Sequence, residues 1–222
     1  MMQVLNRSTL MRALAAIAGT FACVLIAGSV NAAGAPSTAL LARNLIVNGG
    51  AEAGSALPQK VASIPGWSTT GHFTAVTYGY DDYPSATSPG PTDRGKHFFS
   101  GGTNDPISTA SQTIDVSSLR DSIDRGGIQY VFFAWIGGWA GQQDYATVAA
   151  TFYDAEKKRL GGATLGPVTV GARKGVTSLL YRQAVGHVPA GTRSILVKIT
   201  ATRFEGSSND GYTDDISLIL KG

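Results

Sequence analysis

The 222-residue sequence has a single cysteine, Cys23, and three histidines, His72, His97 and His187. One thiol excludes an intrachain disulfide, and histidines this far apart exclude the i,i+4 pair of a helical zinc site. Charge is scarce, with 15% of residues charged. No apolar run reaches the roughly 18 to 20 residues of a spanning helix. There is no G-x-S-x-G elbow, no H-E-x-x-H and no phosphate-binding glycine loop of the P-loop type. The acids do not form the E-x-D-x-x-E pattern found on strands of some jelly-roll hydrolases, so no catalytic residue is assigned. Helical periodicity is nearly absent as well. The exception is Ser117 to Ile123, where Leu119 and Ile123 at i,i+4 predict a single turn stopped by Gly126 and Gly127.

What is present begins with compartment. Arg7 and Arg12 precede an apolar run from Ala13 to Gly28, and Val30-Asn31-Ala32 supplies small residues for cleavage. This reads as a signal peptide over 1–32, giving a secreted or periplasmic chain with no stable membrane insertion after the cut. Cys23 lies inside the removed segment, and its lipidation is the competing reading, although Thr20-Phe21-Ala22 lacks the aliphatic residue of a lipobox. Of 18 Lys and Arg residues, two are lost with this segment, leaving 16 against 15 acids. A near-neutral mature surface gives no electrostatic case for nucleic acid.

A hydrophobic fraction of 43% suffices for one packed core. After a small-residue, flexible spacer over 33–43, short apolar runs alternate with Gly, Pro, Asn, Asp and Ser clusters, the spacing of a β-sandwich. Period-2 alternation puts Ala146, Val148, Ala150 and Phe152 on one strand face, and Ile195, Val197, Ile199 and Ala201 on another. The segment Ile128 to Ile136 is apolar on both parities, so that strand is central or its outer face, with Val131, Phe133 and Trp135, is a binding surface. Further strands are predicted at Asn44–Asn48, Phe73–Gly79, His97–Ser100, Ser108–Val116, Val176–His187 and Thr213–Leu220. Ser207-Ser208-Asn209-Asp210-Gly211 reads as a polar hairpin turn, lacking the spacing of an EF-hand.

Three motifs occur in order: Asn48-Gly49-Gly50-Ala51-Glu52, then Ile64-Pro65-Gly66-Trp67, then Tyr212-Thr213-Asp214-Asp215-Ile216-Ser217-Leu218. Together they resemble the galactose-binding-like jelly roll used by many bacterial carbohydrate-binding modules, over nearly all of 44–222. The resemblance implies an all-β, two-sheet antiparallel jelly-roll sandwich. It also implies a structural calcium ion joining the start of the domain to its last strand, with Glu52 and Asp214 as ligands and Asp215 as an additional one. Strand parity with Ile216, Leu218 and Leu220 points Asp214 inward, where a carboxylate needs a cation or several donors. A carboxylate satisfied by backbone N–H groups is the other reading.

A module of this kind implies a polysaccharide or glycan partner. Sugar recognition sets flat aromatic faces beside amides and carboxylates. Two segments carry that mixture: Tyr80, Asp81, Asp82 and Tyr83 in one, and Trp139, Gln142 and Gln143 in the other. Trp67, Phe73, Phe132 and Phe152 are expected in the core instead. The expectation is thus a non-catalytic, glycan-binding domain. Its competitors are an extracellular structural or adhesion protein with a protein or matrix partner and, further off, a glycan-active hydrolase.

Overall fold

The computed structural model describes residues 37–56 and 63–222. The expected signal peptide, its cut after Ala32 and Cys23 lie outside the described residues. Ten strands follow: β1 Ser68–Thr70, β2 Thr74–Thr77, β3 His97–Thr103, β4 Ile107–Asp115, β5 Gln129–Gly138, β6 Tyr145–Tyr153, β7 Arg159–Leu165, β8 Ser178–His187, β9 Ser194–Thr202 and β10 Ser208–Lys221. They form two five-stranded antiparallel sheets, ordered β1-β4-β9-β6-β7 and β2-β3-β10-β5-β8. The chain is therefore the two-sheet jelly-roll sandwich that the motifs implied.

The core follows the alternation in the sequence. Ala146, Val148, Ala150 and Phe152 of β6 and Ile195, Val197, Ile199 and Ala201 of β9 are buried, facing Phe132, Ala134 and Ile136 of β5 and Leu218 and Leu220 of β10. Each large apolar side chain so buried contributes about 1.5 to 3 kcal/mol. Trp67 and Phe73 join them as expected, with Trp67 edge-on to Phe99 at 5.5 Å between ring centroids. The expected single turn is a short helix, α1, at Arg120–Asp124, entered through a 3-10 turn at Ser117–Leu119. A second short helix, α2 at Val170–Arg173, is capped by Thr169, whose side chain accepts from the Ala172 N–H.

The motifs tie the start of the sandwich domain to its last strand. Asn48, in left-handed backbone, donates from Nδ2 to Ala53 O and Pro65 O, while Trp67 Nε1 donates back to Asn48 O at 3.1 Å. The Ile216 N–H donates to Gly49 O at 3.0 Å, and a Cβ on Gly49 would stand 2.2 Å from Ile216 O. Only glycine fits so close an approach.

Two sequence expectations change here. Asn44–Asn48 is not a strand: Asn44 makes one isolated bridge to Ile219, and its Oδ1 takes the N–H groups of Ile46 and Leu218 that a ladder would have used. Ser208 to Gly211 are not turn but the start of β10, with Asn209 and Asp210 buried. Asn209 satisfies its amide on Ala201 O, so a polar sequence is accommodated inside. In the described part of the expected spacer, Leu40 is buried and the Ala42 N–H donates to Leu220 O, holding this segment on β10.

Candidate functional site

The site grows from an irregularity in β10. Asp214 pairs with Trp135 of β5 and Ser217 with Phe133, so β10 carries one extra residue there, and Asp215 takes φ +46°. A bulge of this kind reverses strand parity. Residues Tyr212 and Asp214 consequently share the outer face with Trp135, while Ile216, Leu218 and Leu220 face the core. Asp214 is fully buried, as expected, but on the outside of the sheet and not in the sandwich interior. Strand alternation alone puts Asp214 inside, and the bulge breaks that alternation between Asp214 and Ile216.

A long loop, 78–96, buries it there by folding over half of the outer face. Phe98 and Tyr212 lie edge-on at 5.3 Å, and Tyr78 and Tyr83 of the loop pack on Phe98 at 4.7 and 6.1 Å. The loop is laced by Arg94, which donates to the carbonyls of Pro91, Ser85 and Ser88 and sits 5.1 Å from the Tyr78 ring centroid. The Leu179 N–H donates to Pro89 O at 2.9 Å, fastening the loop to β8. The Tyr78 hydroxyl donates to Asp214 Oδ2 at 2.6 Å, and the Asp215 N–H to Oδ1 at 2.8 Å. Burial, with Asp215 and Glu52 nearby, still pushes the Asp214 carboxyl well above the usual range. Asp215, pressed by burial and by Asp93 and Glu52, is pushed up to about 6.

The other half of the face is uncovered. Phe133 and Trp135 are half-buried and Tyr181 of β8 is exposed, with ring centroids 5.6 and 5.7 Å from Tyr181. Beside this aromatic platform lies a pocket of about 290 Å³ lined by Phe133, Trp135, Asp93, Asp215 and Ser217 together with Gly49 and Gly50. The sequence named Phe133 and Trp135 as one option for β5 and missed Tyr181. Its signal was the period-2 row Tyr181, Gln183, Val185, His187, all exposed on β8.

The loop residues singled out in the sequence divide. Asp82, Tyr83, Trp139 and Gln142 meet around a pocket of about 180 Å³ that Ser207, Ser208 and Asp210 complete. Trp139 Nε1 donates to Asp82 O at 3.1 Å, joining the two loops. Tyr80 is exposed and touches Tyr83 with centroids 6.3 Å apart, whereas Asp81 is a turn residue at φ +49° that does not line the pocket. Gln143 lines a separate pocket of about 370 Å³ with Tyr145, Pro167 and Phe204.

The acids expected to hold calcium stand near one another around Gly50. A Cβ there would be 3.3 Å from Asp215 Oδ1, 3.6 Å from Asp214 Oδ1 and 3.9 Å from Glu52 Cγ. Glu52 Oε1 already accepts from the N–H groups of Lys96 and His97. Among the described residues no three His, Cys, Asp or Glu side chains are placed so that they could hold a metal ion together. The donor chemistry, all carboxylate, is that of a hard cation.

No family model matches the chain, and no curated protein matches it. Among solved structures it is similar to a family 16 carbohydrate binding module, with 20% identity and a TM-score of 0.47 over 79% of this chain and 99% of that one. It is also similar to the CBM22-1 xylan-binding domain of Paenibacillus barcinonensis Xyn10C, at 12% identity and a TM-score of 0.38 over 75% of this chain and 93% of that one. A third similarity is to the enzymatically active domain of bacteriophage CBA120 tailspike protein 4, at 16% identity and a TM-score of 0.45. There the match covers 80% of this chain and only 21% of the tailspike chain.

Proposed function

We propose that this domain binds a polysaccharide or glycan without cleaving it, along the outer face of the β2-β3-β10-β5-β8 sheet. The observation that carries the reading is the open aromatic platform of Trp135, Phe133 and Tyr181 set beside Asp93, Asp215 and Ser217. Flat rings offer the C–H faces of sugars a dispersion surface, and adjacent carboxylates and hydroxyls fix the ring hydroxyls. The loop pocket at Asp82, Tyr83, Trp139 and Gln142 extends the same side of the sheet, since Trp135 and Trp139 pack against one outer cluster. The carbohydrate-binding modules among the similar structures accord with this reading. Secretion through the signal peptide would put the domain where such polymers occur.

A calcium ion is proposed as a structural partner of this face, held by Asp214, Asp215 and Glu52. What supports it is their placement around Gly50, where burial first and neighbouring carboxylates second raise the two aspartates. When bound, the ion neutralises these carboxylates and links Glu52 to the last strand.

Affinity electrophoresis through gels containing soluble polysaccharides tests the function. Retardation by at least one polymer, with no new reducing ends after incubation, is the expected result. Retardation by none, together with capture of a defined extracellular protein, supports the adhesion reading instead, and released reducing ends support a hydrolase.

A further inference from the structure

Beneath the loop pocket lies a charge imbalance that the glycan reading leaves unused. Asp144 and Asp210 are buried, at 1% and 7% exposure, and Arg173 is buried at 3%. Arg173 donates from Nη1 and Nη2 to the carbonyls of Ala140, Val176 and Gln142, keeps a buried Nε without a hydrogen-bond partner, and makes no ion pair with either acid among the described residues. Asp144 is satisfied, its Oδ1 accepting from the Phe204 and Glu205 N–H groups and its Oδ2 from the Asp210 N–H.

Asp210 is not so provided. Its Oδ1 accepts from the Tyr212 hydroxyl at 2.6 Å, its Oδ2 has no protein donor among the described residues, and the side chain lines the pocket. Gln142 lines the same pocket, and its Oε1 is buried with no hydrogen-bond partner. A third acid, Asp82, stands exposed at the rim. The walls are the indole of Trp139 and the ring of Tyr83, and no Lys, Arg or His lines the space. The pocket therefore combines two carboxylates, an unpartnered amide oxygen and aromatic faces with donors that are all neutral, such as the Ser207 and Ser208 hydroxyls, and this net negative charge beside ring faces is what recognises an organic cation. A metal ion is a poorer fit, because two of the walls are carbon and only two carboxylates are present.

Resting on the glycan reading, we infer that this pocket binds the protonated amine of a sugar, the free 2-amine of an amino sugar being the simplest case. Asp210 and Gln142 accept from the ammonium, Asp82 adds charge at the mouth, and Trp139 and Tyr83 stack against it. At about 180 Å³ the pocket takes the substituent and part of one ring, not a chain.

Calorimetric titration of the full chain with a glucosamine hexamer and with the same hexamer fully N-acetylated tests this. The free-amine oligomer should bind about tenfold tighter, as one charge-assisted hydrogen bond provides. Asp210→Asn should bring that ratio close to one through a loss of affinity for the free-amine oligomer. Asp82→Asn, at an exposed site that does not risk folding, should reduce the ratio in the same direction. Equal affinities of the unaltered protein for both oligomers, or a ratio unmoved by both substitutions, overturns the inference while the platform reading stands. Displacement of the amine oligomer by calcium alone, lost in Asp210→Asn, reassigns the pocket to a metal and also overturns it. If neither oligomer binds while another glycan does, the amine is wrong; if no glycan binds, the proposed function falls with it.

Discussion

Calcium should stabilise this domain, and Asp214 should be the residue through which it does so. Asp214 is wholly buried, holds Tyr78 Oη at 2.6 Å and shares its surroundings with Asp215 and Glu52. An ion bound to the native state and not to the unfolded chain adds RT ln(1 + [L]/Kd), about 2.7 kcal/mol at a hundredfold excess over Kd. For a domain of this length that corresponds to roughly 5 to 11 °C in Tm. The assay is a pair of thermal melts, one with millimolar calcium and one with chelator, on the unaltered chain and on Asp214→Ala. The unaltered chain should melt higher with calcium, and Asp214→Ala should remain folded, melt lower and ignore the ion. Identical melts of the unaltered chain in both conditions, with no metal in the purified protein, refute the reasoning. Asp214 would then be held by Tyr78 and the Asp215 N–H alone.

Tyr80→Ala should leave Tm nearly unchanged, because the ring is exposed and stacks loosely on Tyr83, and should weaken glycan binding by about 1 kcal/mol. Trp139→Ala should cost more in both affinity and stability, since it also removes the bond to Asp82 O that joins the loops; melts and titrations of both variants separate the two. Gly49→Ala should destabilise by about 3 kcal/mol in denaturant titration, because the added Cβ meets Ile216 O at 2.2 Å. Once the sugar amine is fully protonated, the preference for a free-amine glycan should fade as pH falls further through about 6. Burial, reinforced by Asp144 and Asp82 and opposed by Tyr212 and Arg173, lifts the Asp210 carboxyl to that value, and only its ionised form attracts a cation. A preference constant from pH 5 to 7.5 counts against Asp210 as the acceptor.

The sandwich was legible because its core strands alternate without interruption: β6 and β9 bury the side chains their period predicts. The edge strand β7 was not, since Gly161 and Gly162 leave its alternation without side chains, and the three-residue β1 is too short to carry a period. The motifs located the contact between the start of the domain and its last strand, but parity placed Asp214 in the interior because nothing in Asp214-Asp215-Ile216 marks a bulge. Polarity misled at Ser208 to Gly211, where a buried network built on Asp144 and Asn209 replaces the solvent a turn would have had. Half of the loop pocket was visible as aromatic and amide composition. Asp210 and Tyr181 were not, because their roles depend on which strands lie side by side.

The most direct test of glycan binding on the sheet face is a quantitative glycan array read with the unaltered chain, Tyr181→Ala and Trp135→Ala, each first shown to be folded by a thermal melt. Tyr181 is exposed, so its loss removes a stacking surface and little packing. Binding of the unaltered chain to at least one polysaccharide, weakened about tenfold or more in both variants, is the expected result. Binding that survives both substitutions unchanged, or an array silent for the unaltered chain, contradicts it.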